Sequence, residues 1–255
     1  MENYELTELK ISRCLFRKKN ITLDSNIYRI MPIDRFIQVI TEEKFPLFRP
    51  RIWDDPFENL LLNSKFSIFN SSVCVKEIRD SFYGVCWSLT KENDAMWRIY
   101  SPDKRGVKIK TKISKVFDAI FYDLEDKEKI SFSVGDVVYL ADKEIVAIFS
   151  SFNENNITLA DNNSSFPSSL LFKRPEFKHE NEIRFLIEKK GLSEDICKLN
   201  FNWFDCIEEI VFDPRIDKDV YESYKTLLIN HYKFKERIIK KSELYTKPIE
   251  LNIQL

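Results

Sequence analysis

The stretch His179-Glu180-Asn181-Glu182-Ile183-Arg184-Phe185-Leu186-Ile187-Glu188 decides how this chain is read. From Glu182 onward the side chains alternate. Ile183, Phe185 and Ile187 fall on one face and Glu182, Arg184, Leu186 and Glu188 on the other, which is the two-residue period of a strand. The same period puts Glu180, Glu182 and Arg184 on one side of the strand entrance. Two carboxylates and a guanidinium on one side are expensive to bury. Either they form a solvated edge with a surface Glu–Arg pair, or Glu182 is a catalytic carboxylate held by its neighbours.

Working outward, Ile207–Phe212 reads as a further strand closed by Asp213-Pro214, and Asp217–Tyr232 as an amphipathic helix. Lys235–Lys241 closes as a strand. Upstream, Asn153–Ser169 is dominated by Asn, Ser and Asp and reads as a loop, with a helix over Lys143–Phe152 before it. Val134–Leu140, Gly106–Lys110 and Phe82–Leu89 read as strands. Thr90–Tyr100 reads as a short helix capped by Thr90 or Asn93, and Trp53–Glu58 as a polar-aromatic turn after a strand at Phe45–Phe48. A helix starts near Asp34, which can cap it, and Ile27–Met31 is a short strand-like run with Arg29 inside it. Residues 1–26 form an N-terminal helix or arm, and residues 27–255 a single domain. Strands and helices mix without regular alternation, so the fold class is α+β rather than a doubly wound sheet.

Composition narrows the chemistry. The chain has 255 residues, with 40 Lys+Arg against 41 Asp+Glu, which excludes a histone-like basic protein. It has only 4 Gly, and neither a dinucleotide-binding nor a Walker-type glycine loop occurs. Two distant histidines, His179 and His231, and five cysteines without a CxxC pair argue against a zinc site, so no metal is assigned. No apolar run is long enough to span a bilayer and no secretory leader is present, which reads as a cytoplasmic chain with free thiols and no membrane partner.

Four constellations can carry chemistry. Arg29, beside Tyr28, either snorkels to a carboxylate or grips a phosphate. Asp55 and Phe57 sit in a turn that either satisfies its own backbone or lines a cleft. Ser88 and Thr90 offer hydroxyls to a ribose or phosphate, and Trp97 and Tyr100 offer faces to a flat base. Glu180, Glu182 and Arg184 complete the set.

The order of these motifs resembles the bacterial DUF2971 family, on Tyr28-Arg29, Asp54–Glu58, Cys86–Ser88, Met96–Tyr100, Gly106-Val107 and Lys173–Arg184, spanning residues 27–215. A looser resemblance is to ADP-ribosyltransferases of the Arg–Ser–Glu type, carried by Arg29, then Ser88-Leu89-Thr90, then Glu180-Asn181-Glu182. That resemblance implies an ADP-ribosyltransferase-like split antiparallel β core with flanking helices, holding NAD as substrate in a cleft. It implies that Arg29 grips the pyrophosphate, that Glu182 binds a ribose hydroxyl and stabilises an oxocarbenium-like transition state, and that Glu180 serves the acceptor. Tyr28, Asp55, Phe57, Ser88, Thr90, Trp97, Tyr100 and Arg184 would line the NAD site, with the middle motif supplied either by Ser88 or by the Phe48–Glu58 segment. It further implies a toxin of a toxin–antitoxin or phage-defence system, with an antitoxin protein as partner and a macromolecular acceptor, RNA favoured over protein. Lys/Arg clusters at Arg17–Lys19, Lys104-Arg105, Lys108–Lys112 and Lys235–Lys241 offer a local track for such an acceptor. The competing readings are a metal-dependent nuclease built on Asp55, Glu180 and Glu182, and a non-enzymatic interaction module. Neither Glu has a Lys two residues later, as a nuclease of the PD-(D/E)xK type requires.

Overall fold

A computed structural model describes residues 15–16, 21–60, 66–68, 71–73, 80–123, 132–150 and 169–246. In chain order the elements are β1 (Leu15–Phe16), β2 (Asn26–Pro32), α1 (Ile33–Glu42), β3 (Lys44–Phe48), β4 (Phe66–Ile68), β5 (Ser71–Val73), β6 (Phe82–Ser88), α2 (Asp94–Tyr100) and β7 (Gly106–Lys112). There follow α3 (Ile113–Asp123), β8 (Phe132–Asp136), β9 (Val138–Tyr139), α4 (Asp142–Ser150), β10 (Phe172–Lys173), β11 (Glu182–Glu188), β12 (Ile196–Asn200), α5 (Trp203–Cys206), β13 (Glu209–Phe212), α6 (Lys218–Asn230) and β14 (Ile239–Lys241). Short 3₁₀ turns at Pro50–Ile52, Pro56–Asn59, Pro175–Glu180 and Glu236–Ile238 fill the connections.

The main sheet runs β1-β8-β11-β6-β2-β7-β13-β14, with β3 joined to β6 and β12 to β3. Its pairings are antiparallel except β1–β8 and β13–β14. The chain is therefore α+β with a mostly antiparallel core, as the mixed pattern of elements requires.

The sheet is split at its middle. β2 pairs with β7 over seven positions but meets β6 at one, Tyr28 opposite Ser88. β3 likewise meets β6 only at Phe48 opposite Gly84. Between these two contacts β2 leaves β6, the chain turns through α1, and β3 returns. The facing edges of β2 and β6 are left open there, and a cavity occupies the gap.

α1 closes one side of this gap because Ile33, Phe36 and Ile40 recur on one helical face and are buried. They join a core that includes Phe45, Trp87, Ile109, Phe117, Phe185 and Trp203. Each such side chain contributes about 1.5–3 kcal/mol on burial. A smaller cluster of Ile30, Met96 and Trp97 seats α2 against β2. Asn93 caps α2, its side chain accepting from Met96 N–H at 2.8 Å.

Several elements depart from the sequence pattern. Asp34 does not cap α1: Pro32 stands at the N-cap, and the Asp34 carboxylate accepts from Arg35 N–H instead. Val134–Leu140 is not one strand. It divides at Val137, so that β8 joins the main sheet and β9 pairs with β10. α3 and β12 add to the elements the sequence pattern outlines; in α3, Ile113, Val116, Phe117 and Ile120 keep helical spacing and are buried. Only Ile239–Lys241 of the last expected strand is extended. β11 lies between β6 and β8 with both faces buried, so it is a central strand and not a solvated edge. Of the N-terminal arm, Leu15–Phe16 pair with β8, while residues 1–14 and 17–20 lie outside the described residues. Of the Asn/Ser-rich loop, residues 151–168 also lie outside them. Among the described residues no helix is long and apolar enough to cross a membrane.

Gly84 is held by close approach. A Cβ there would stand 2.7 Å from Leu186 Cδ2 and 2.9 Å from Trp53 Cζ2. Gly84→Ala is expected to displace Trp53 and lower stability by about 1–3 kcal/mol, the usual cost of overpacking. Denaturant unfolding followed by tryptophan fluorescence checks this. An unchanged midpoint and emission maximum would mean that Trp53 does not pack on Gly84.

Candidate active site

β11 and β6 set the floor of the site by register. Glu182 is opposite Ser88, Arg184 opposite Cys86 and Leu186 opposite Gly84, so these side chains share one face. Arg184 is fully buried on that face, with every nitrogen occupied. Its Nε donates to Glu182 Oε2 at 2.8 Å, Nη2 to Glu58 Oε2 at 2.8 Å and Nη1 to the Leu170 carbonyl at 2.6 Å. Trp53, admitted by Gly84, lies over the guanidinium with its ring centroid 4.6 Å away.

A second cation completes the cluster. Lys173 Nζ lies 2.5 Å from Glu180 Oε2, 2.5 Å from Glu182 Oε1 and 3.0 Å from Glu58 Oε1. Three carboxylates thus share two buried cations. Glu180 reaches this point from a 3₁₀ turn and not from the strand. Asn181, in the left-handed region at φ 45°, turns the chain so that Glu180 and Glu182 meet one ammonium. Glu180 therefore joins Glu182 through a turn, where the strand period alone suggested a shared strand face. Ser88 fixes that turn, its hydroxyl donating to the Glu180 carbonyl at 2.6 Å. The Glu182 N–H donates to the Tyr139 hydroxyl at 2.9 Å, and Tyr100 donates to Glu180 Oε1 at 2.7 Å.

The two carboxylates differ in acidity. Burial first, and the neighbouring Glu182 second, raise Glu180 to about 7 against the pull of Lys173. Burial also opposes ionisation of Glu182, but the Arg184 guanidinium, the link to Glu180 and Lys173 outweigh it and hold Glu182 well below the usual carboxylate range. Burial pushes the Cys86 thiol up, so it stays protonated and is no nucleophile.

The cavity in the split of the sheet measures about 500 Å³. Tyr28, Arg29, Ser88, Tyr100, Glu180 and Glu182 all line it, which brings together six of the residues singled out in the sequence. Arg29, on β2, lines the cavity and is half-buried there, and partial desolvation lowers its basicity. Among the described residues nothing accepts a hydrogen bond or ion pair from its guanidinium. The reading in which Arg29 pairs with a core carboxylate is not what the fold does.

Five sequence candidates lie elsewhere. Trp97 is fully buried and its Nε1 donates to Glu92 at 2.9 Å, so it presents no face to a base. Arg184 is spent on Glu182 and Glu58 and reaches no ligand. Asp55 caps the turn by accepting from Phe57 N–H and pairs with Arg174 at 3.0 Å, while Arg174 covers the Phe57 ring. Thr90 accepts from Asn181 Nδ2 and braces the turn. Of the basic clusters, Lys108 is buried beside Glu92, Lys110 meets Glu208, Lys112 meets Asp24 and Lys240 meets Glu209. Lys104 and Arg105 remain exposed, and Arg17–Lys19 lie outside the described residues. The sequence marks Glu58 and Lys173 only as ends of the motif segments Asp54–Glu58 and Lys173–Arg184, and Tyr139 only as part of a strand; a further signal for Lys173 is that it closes the apolar run Leu170-Leu171-Phe172.

Removing one partner from a buried ion cluster strands the others without compensation, at about 3–5 kcal/mol. Arg184→Met is expected to lose that much stability, because Glu58 and Glu182 then depend on Lys173 alone. Urea unfolding measures it. A loss below about 1 kcal/mol, the range of exposed pairs, would return Arg184 to a surface role.

No curated protein matches the chain. Among solved structures, Thermus sp. 2.9 DarT in complex with ADP-ribosylated ssDNA aligns at 13% identity and TM-score 0.41, covering 89% of this chain and 98% of that one. Thermus sp. 2.9 DarT in complex with NAD+ aligns at 14% identity and TM-score 0.40, covering 88% and 98%. Residues 96–185, from Met96 in α2 to Phe185 in β11, match the family described as "Protein of unknown function (DUF2971)".

Proposed function

We propose that this chain is an NAD-dependent ADP-ribosyltransferase that modifies a nucleic acid. One observation carries the reading: an unpaired guanidinium, Arg29, and an ionised carboxylate, Glu182, line the same cavity in the split sheet. A half-buried arginine without a partner leaves its guanidinium open to a ligand anion, and its fork suits two phosphate oxygens. NAD offers a pyrophosphate for Arg29 and ribose hydroxyls for Glu182. Both Glu182 oxygens already accept one bond, from Lys173 and Arg184, and each keeps a further acceptor position.

The chemistry follows from these charges. The bond between ribose C1 and the nicotinamide nitrogen breaks, and its electron pair leaves with neutral nicotinamide. Positive charge develops on the ribose beside Glu182, as it does beside the carboxylates of glycosidases. A nucleophile of the acceptor bonds to C1 and gives its proton to Glu180, whose affinity for a proton lies near neutrality and suits a general base. Tyr100 orients that carboxylate.

The acceptor reading rests on Arg35, Lys44 and Lys198, which also line the cavity; Lys198 pairs with Glu42 at 2.7 Å, leaving Arg35 and Lys44 for a phosphate backbone, and RNA is favoured over protein. A toxin of a toxin–antitoxin or phage-defence system, with an antitoxin as partner, is the role we assign. Free Cys86, Cys197 and Cys206 fit the reducing cytoplasm where such a toxin would act. The nuclease reading has less support. Lys173 sits between Glu180 and Glu182 where a bridging metal would stand, and Asp55 is held by Arg174 away from the cavity.

Incubation with labelled NAD plus RNA, DNA and lysate protein tests the proposal. Label is expected on nucleic acid, unaffected by EDTA. Glu182→Gln should cut turnover by ~10²–10³ while NAD affinity changes little. Arg29→Gln should instead weaken NAD binding by about 10–100-fold, the worth of a charged hydrogen bond. Transfer should rise with pH through about 7 as Glu180 loses its proton, and Glu180→Gln should flatten that rise. Transfer at the parental rate by Glu182→Gln would end the assignment.

A further inference from the structure

Lys173 does not line the cavity, yet its ammonium touches both carboxylates that do. Its side chain is 8% exposed, and its third contact is Glu58 at 3.0 Å. The Phe177 ring covers it, with the centroid 4.5 Å away. We infer that Lys173 is a positioning residue whose single ammonium holds Glu180 and Glu182 side by side at the cavity and supplies positive charge to both, while Arg184, which bonds Glu182 and not Glu180, sets the two apart. The inference rests on the transferase reading for its consequence in catalysis, but its physical content is independent of that reading.

The surroundings leave Lys173 little redundancy. Arg184, from β11, holds the opposite oxygen of Glu182 and one oxygen of Glu58, but makes no bond to Glu180. Tyr100, from α2, donates to Glu180, and Tyr139, from β9, accepts from the Glu182 N–H. Cys86, opposite Arg184 on β6, stays neutral. Glu58 brings a third negative charge from the Pro56–Asn59 turn. Among the described residues only Lys173 touches Glu58, Glu180 and Glu182 together. Glu180 and Glu182 already interact directly, and without the ammonium that pair is left in a low-dielectric site to share one proton, as in carboxylate dyads. Proton sharing removes charge from Glu182 at neutral pH.

Lys173→Met tests this by a pH profile and by a titration that needs no NAD. In the parent, carbon-13 NMR of labelled glutamate carboxyls should show Glu180 titrating near neutrality and Glu182 remaining ionised. In Lys173→Met, both should titrate upward by about one pH unit or more, the size of a like-charge shift. The acid limb of NAD cleavage should move with them, so that activity lost at pH 6 returns at pH 9. KM for NAD should change less than kcat, and Lys173→Arg should restore the parental profile. Lys173→Met combined with Glu58→Gln removes one charge of each sign, which keeps the cluster balanced if the single variant does not fold. The same upward shifts are expected in it.

If the carboxyl titrations and the acid limb stay in place and activity falls by one factor at every pH, Lys173 only supports the fold and the inference is overturned. If the parent cleaves no NAD but the carboxyl titrations move in the variant, the transferase reading fails and the hold of Lys173 on the pair stands.

Discussion

An arginine with no exposed atom stands in the centre of the main sheet, and the chain around it is arranged to neutralise its charge. Arg184 cannot leave β11, because strands pack on both sides of it. Its three nitrogens therefore require three acceptors inside the protein. Glu182 comes from its own strand, Glu58 from the turn after β3, and a carbonyl from Leu170. These partners lie far apart in sequence, so satisfying one guanidinium fixes the relative positions of three segments. Lys173 enters for the converse reason: with Glu180 turned inward at Asn181, the carboxylates outnumber Arg184.

The opposite wall of the cavity follows a different rule. Arg29 sits on β2 where the strand has parted from β6, and among the described residues no carboxylate pairs with it. The site thus separates an uncompensated cation from a carboxylate cluster across the split. Glu182 is buried, which strengthens its field relative to water, while Arg29 is half-buried on the cavity wall.

The split depends on packing that has nothing to do with the charges. α1 buries Ile33, Phe36 and Ile40 and so carries the chain from β2 to β3 without closing the sheet. α2 is pinned at both ends. Asn93 caps its start, and Arg215 donates to the Trp97 and Ser101 carbonyls at its finish, both at 2.9 Å. That fixed helix delivers Tyr100 to Glu180 and uses Trp97 as core. Two aromatics three residues apart therefore have opposite fates, one lining the cavity and one filling the interior.

The sequence by itself determined that β11 is a strand with Glu182 and Arg184 on one face, because a period of two admits no other assignment. It also placed Arg29 in an apolar strand and Glu182 after a second glutamate, and these residues meet at the cavity. The tertiary structure alone decided which polar groups remain free. Arg29 and Arg184 look alike in sequence, each an arginine within an apolar run. One faces a gap and is unpaired, while the other faces two carboxylates and is spent. Asp55 and Glu58 share a turn, yet Asp55 meets Arg174 and Glu58 reaches the cluster. The motif segment and apolar run that contain Lys173 do not name its partners, because these come from the turn at Pro56–Asn59 and from either side of the bend at Asn181. Periodicity reports which face a side chain shares along its own element. It cannot report which distant charge that face will meet, since that is set by how the strands pair and where the sheet parts.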